Sequence, residues 1–251
     1  MTSAPANPPD AAHLRGIQRE IQRDIQRDIQ RDIEGASEAH RRLGDAVAEI
    51  DDQTIRHPSR LPGWTVGHVL AHLARNADSH VRLLEAGERG EVADQYDGGA
   101  VGRSAEIDRD ALLPAADLVA DLIAASEALE RCWAATTATG WAGEGRSLAG
   151  LVPLVDLPFR RWREAVVHHT DLGLGLEPDL GPDLGPDLGP DQWPATYVRL
   201  ELARMERLWA SRRPMGLTDL PTAALAVPPA HRVAWLLGRA DIDGLEPAGI
   251  F

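Results

Sequence analysis

Isoleucine recurs at every fourth position from Ile17 through Ile21, Ile25 and Ile29 to Ile33, with arginine, glutamine and aspartate filling the intervals. This spacing is a helix signature. A step of four turns the side chain by about 40° at 3.6 residues per turn, so the isoleucines form a slanted ridge and not a straight stripe. Arginine and aspartate three and four apart add small pairings on the outer face. The repeat lacks the heptads of a coiled coil that recruits a partner, and reads better as the expansion of one helix in a bundle.

Leu43, Val47 and Ile50 continue the first helix until Pro58, Pro62 and Gly63 break it, and Thr65 offers a cap for a second helix running toward Glu88. Gly87, Gly90, Gly98, Gly99 and Gly102 mark a loop. Leu118, Leu122, Ala125, Leu129 and Trp133 give a third helical period, and a fourth helix is expected from Pro158 to Leu172. Pro-Asp-Leu-Gly then repeats between Pro178 and Pro190, where prolines remove donors and glycines weaken regular structure. That segment reads as a linker, since it has no aromatic or basic feature of a Pro-rich recognition ligand. Beyond it Tyr197–Ser211 and Ala230–Arg239 read as helices and Thr222–Val227 as a short strand. The expected class is mainly α: a tail over 1–12, a four-helix bundle over 13–175, a linker over 176–191 and a small α+β domain over 192–251.

All 26 basic residues are arginine and oppose 39 acidic ones, a net charge of -13 among 251 residues. Such a balance argues against nucleic acid as a partner. Cys132 is the single cysteine, which excludes an internal disulfide or a thiolate-rich zinc site and fits a reducing compartment. Residues 1–12 lack a basic start followed by an apolar core, and no stretch approaches the roughly 20 apolar residues that a bilayer requires. The expectation is a cytoplasmic protein without membrane contact, monomeric or weakly oligomeric.

Ligand-capable side chains stand against the apolar periods in two places. His68 and His72 are four apart in the second helix, and His72 lies closer to the apolar face set by Val66, Val69, Leu70 and Leu73. Glu164 and His168 are four apart in the fourth, with Arg161 and Asp171 on the same face. Two imidazoles and a carboxylate suit zinc with one position open, and Asp171 could orient a ligand histidine. Spacing alone leaves the plainer reading standing, because such pairs arise by chance and the stripe could simply be solvated.

Three segments occur in order: Leu61-Pro-Gly-Trp-Thr-Val-Gly-His-Val-Leu-Ala-His-Leu-Ala-Arg-Asn-Ala-Asp, Phe159 to Gly173, and Arg232-Val-Ala-Trp-Leu-Leu-Gly-Arg. Together they resemble the mycothiol-dependent maleylpyruvate isomerase family, over most of the chain apart from the tail and the two repeats. The resemblance implies a DinB-like four-helix bundle with a divalent metal, normally zinc, whose ligand positions fall on His72, Glu164 and His168. It places the arginine of the C-terminal motif on Arg239, as a catalytic and substrate-binding group. Tyr96 to Ile107 matches a further family segment and makes Arg103 a second substrate-binding candidate. The implied activity is cis-trans isomerisation of maleylpyruvate to fumarylpyruvate by reversible addition of the small-molecule thiol mycothiol, in gentisate breakdown. The alternatives are a mycothiol S-transferase acting on electrophiles and a non-catalytic metal-binding regulator; two arginines favour an anionic acceptor and hence the isomerase.

Overall fold

The structure is a computed structural model that describes residues 11–174, 189–212 and 219–249. Residues 1–10 and most of the Pro-Asp-Leu-Gly repeat, expected as tail and linker, lie outside them. Four long helices form the bundle: α1 (Ala11–Val47), α2 (Val66–Glu88), α4 (Ala115–Ala135) and α6 (Leu157–Asp171). α1 lies along α6 and α2 along α4, and each pair packs on the other. Gly35 lets α1 approach closely, since a Cβ there would sit 2.4 Å from the Trp162 ring.

Apolar periods account for the packing. Leu118, Leu122, Ala125, Leu129 and Trp133 are all buried on α4. Leu43, Val47, Leu70, Leu118, Leu122 and Leu172 make one core where α1 ends and α2 begins. Leu84, Leu129, Trp133, Phe159 and Trp162 make the other, which continues into Tyr197, Trp209 and Trp235 of the C-terminal helices. The isoleucine ridge meets this core only in part: Ile29 is buried, whereas Ile21 and Ile25 are 53% and 36% exposed.

Three sequence expectations are corrected. The glycine-rich loop contains a helix, α3 (Gly99–Asp110), that begins immediately after left-handed Gly98 at φ +71°. A Cβ on Gly102 would lie 1.8 Å from the Asp97 carbonyl, so that glycine serves close packing inside the helix rather than looseness. Thr222–Val227 is not a strand but α8 (Thr222–Ala226), which follows Pro221 and consists mainly of alanine and leucine. Arg232 fixes its end by donating to the carbonyls of Ala224 and Leu225 at 2.7 and 2.9 Å. α7 (Ala195–Ser211) and α9 (Pro229–Leu236) complete the C-terminal unit, so among the described residues it is helical. The chain is mainly α with one small sheet, as expected, but that sheet lies before α6.

The sheet is a hairpin of β1 (Glu144–Ser147) and β2 (Gly150–Pro153), preceded by the one-turn α5 (Ala138–Trp141). Ser147 pairs with Gly150 across a two-residue turn. β1 also bonds the segment after α2, through Arg146 N to Ala93 O at 2.9 Å and Gln95 N to Arg146 O at 2.8 Å. This anchoring holds the hairpin turn over the side of the bundle between α2 and α6. No helix among the described residues is long and apolar enough to cross a membrane.

Candidate functional site

Local structure decides between the two α2 histidines. Thr65 caps the helix, its Oγ1 accepting from His68 N, while Thr65 N donates back to His68 Nδ1 at 3.2 Å. His68 is thereby consumed in a reciprocal cap. His72, one turn further, is buried and faces α6. From α6 the one-turn pair Glu164 and His168 meets it: His72 Nε2 is 2.8 Å from Glu164 Oε2 and 3.1 Å from His168 Nε2, and His168 Nε2 is 3.2 Å from Glu164 Oε2. Donors 2.0–2.1 Å from a tetrahedral ion stand roughly 3.3 Å apart, so two nitrogens and an oxygen converging this closely fit one divalent cation. Among the described residues this is the cluster able to hold one.

The surroundings orient the donors. His168 Nδ1 lies 2.8 Å from Asp171 Oδ2, which directs Nε2 toward the cluster. Arg239 Nε and Nη2 donate to the two oxygens of Asp171 at 2.9 and 3.0 Å. Gly238, at φ +70°, turns the chain after α9 and brings Arg239 onto α6. On the other side Arg103 Nη2 lies 3.0 Å from His72 Nδ1, with its guanidinium 5.9 Å from the Trp64 ring centre and 5.8 Å from that of Tyr96.

Burial pushes His72 down to about 4, so the ring is a neutral donor. Burial also opposes charge on His168, but the hydrogen bonds it donates to Asp171 and Glu164 outweigh it and raise the ring to about 9. Against its own burial, Glu164 is held well below the usual carboxylate range by its bonds to His168 and His72.

The cluster forms part of the wall of a cavity of about 430 Å³, shared with Asn76, Tyr96, Arg103, Ser147, Arg160 and Arg163. Four sequence candidates, His72, Glu164, His168 and Arg103, therefore meet at one cavity. Arg239 does not line it; its guanidinium closes on Asp171 beside a second hollow of about 320 Å³ bounded by Arg60 and Leu61. Arg239 thus stands one carboxylate removed from His168. Arg161, on the proposed stripe, is fully buried and not solvated: it donates to His40 Nε2, Leu73 O, Asn76 Oδ1 and Ser126 Oγ at 2.7–3.2 Å. Sequence reasoning passed over Arg160 and Arg163. The signal was present, because the step of four that pairs Glu164 with His168 also pairs Arg160 with Glu164.

A crystal structure of the mycothiol-dependent maleylpyruvate isomerase superposes with a TM-score of 0.69 at 21% identity, covering 84% of this chain and 90% of that one. A histidine-to-alanine mutant of that enzyme matches at 20% identity with the same TM-score and coverage. At such identities the likeness carries the fold. No curated protein matches the chain. The model of the mycothiol maleylpyruvate isomerase N-terminal domain matches residues 36–173, a stretch that is more than half of the chain and contains all three converging donors, and the chain belongs to that family.

Proposed function

We propose that the chain is a thiol-dependent cis-trans isomerase that converts maleylpyruvate to fumarylpyruvate, with mycothiol as the thiol and a divalent cation, zinc by donor preference, held by His72, Glu164 and His168. The observation that carries this reading is the convergence of three donor atoms on the wall of a cavity that also bears arginines, in a member of this family. A cation held by these three residues would supply the charge that lets a bound thiol lose its proton readily. Asp171 keeps His168 in the tautomer that presents Nε2, and Arg239 holds Asp171, so Arg239 is a positioning residue. Arg103 has a different task. If His72 gave Nε2 to a cation, its ring proton would sit on Nδ1, which would then not accept from Arg103. The Arg103 guanidinium would then be available to an anionic acceptor. The acceptor's cis double bond takes up sulfur at one carbon, turns about the resulting single bond and re-forms trans as sulfur leaves, with no net redox change.

The test is an assay of zinc-loaded protein on maleylpyruvate, followed by the product's absorbance, with and without mycothiol. Formation of fumarylpyruvate only with the thiol is the expected result. Turnover without thiol, or consumption of thiol into a stable adduct, overturns the isomerase reading; the second outcome identifies a transferase.

A further inference from the structure

Three arginines border the cavity, and they differ in what they already hold. Arg163 is spent on Glu201, with Nε and Nη2 donating to its two oxygens at 3.0 and 2.6 Å. Arg103 leans on His72 Nδ1. Arg160, partly buried and one helical turn before Glu164, makes no hydrogen bond or ion pair with any described residue.

Acidic groups outnumber arginines by 39 to 26, and several exposed arginines pair with them, Arg89 with Glu91 at 2.9 Å and Arg109 with Asp110 at 2.8 Å, while Arg199 and Arg207 pair with none among the described residues but stay exposed to water. Arg160 is instead desolvated enough that its pKa falls, with the like charge of Arg163 adding to the effect and Asp156 and Glu164 offsetting only part of it. A guanidinium withdrawn from water with its N–H donors unpaired costs stability unless an anion completes it. The cavity beside it has room for a small organic acid.

We propose that Arg160 is an anion subsite, binding a carboxylate of the acceptor in the cavity through its two-pronged face. The inference rests on the isomerase reading for the identity of the acceptor, but not for the subsite itself. It predicts which ligand the arginine recognises: the acidic acceptor and not the thiol. A planar carboxylate matches the guanidinium fork with two parallel hydrogen bonds, which an ammonium group does not reproduce.

The experiment compares the wild type with Arg160→Gln and Arg160→Lys, and with Arg131→Gln as a control at an exposed arginine. Succinate, an unreactive dicarboxylate, is titrated calorimetrically, and KM is measured separately for maleylpyruvate and for mycothiol. Loss of a charge-assisted pair should weaken succinate about tenfold or more in Arg160→Gln, less in Arg160→Lys, and leave Arg131→Gln unchanged. KM for maleylpyruvate should rise by a similar factor while KM for mycothiol stays constant. Tm should change little, because no hydrogen bond or ion pair is lost; a lower Tm with unchanged succinate binding would assign Arg160 to structure and overturn the proposal. So would a wild type that binds no succinate, or a rise in KM confined to mycothiol. Succinate binding that depends on Arg160 in a protein without turnover would support the subsite and overturn the isomerase reading.

Discussion

Asp171 joins two parts of the molecule through one carboxylate: it accepts from His168 on its own helix and from Arg239 on the chain after α9. Replacing it by asparagine removes the charge that holds both, and zinc affinity measured by chelator competition should fall about 10- to 100-fold. Equal affinity would show that His168 needs no support. Arg161 offers a second residue-scale prediction. Arg161→Met leaves His40, Asn76, Ser126 and the Leu73 carbonyl without their donor, and urea unfolding should show a loss of about 3 kcal/mol. A stability within 1 kcal/mol of wild type, on the order of a surface substitution, would contradict this role. The sequence alone made His72 the better inward histidine from its neighbours' apolar face. It left the buried destination of Arg161 open, because the partners lie on three other helices, up to 121 positions away.

At the scale of elements, periodicity and breakers located the long helices to within a few residues, since each has an apolar face that must be covered. Thr65 was readable as a cap for a chemical reason, its hydroxyl accepting from the first turn. Coverage was less readable than periodicity: the isoleucine repeat specifies a helix, yet Ile21 and Ile25 remain exposed because α1 extends beyond the helices beside it. The hairpin escaped notice because its strands are four residues each and bury only Gly145 and Val152, leaving no alternation to detect. The closest helix contact gives a direct test. Gly35→Ala would drive a methyl into the Trp162 ring, and overpacking there should cost about 1–3 kcal/mol in thermal or urea unfolding. An unchanged midpoint would mean that α1 and α6 separate freely.

Across the whole molecule the C-terminal helices share a core with the bundle, and Trp193 Nε1 donates to Thr170 Oγ1 at 2.9 Å. We therefore expect one cooperative unit rather than two independently melting domains. Acid should expose a common weakness. Burial lowers His40 to about 4 and His80 to about 3, so the native rings stay neutral while unfolded ones take up protons near 6.5. Their contribution is fully present above pH 6.5 and is lost as pH falls toward 4, at about 1.4 kcal/mol per ring per pH unit. A Tm that declines through that window, with tryptophan fluorescence and circular dichroism changing together, fits this account; a flat profile or two separate transitions would not.

His72, Glu164 and His168 are proposed to hold one divalent ion with a position free for a thiol. X-ray absorption at the zinc edge, with and without mycothiol, tests it most directly. A nitrogen and oxygen shell at about 2.0–2.1 Å is expected and, once the thiol is added, one sulfur at about 2.3 Å. A first shell that gains no sulfur, or one that is unaltered in His168→Ala, would contradict it.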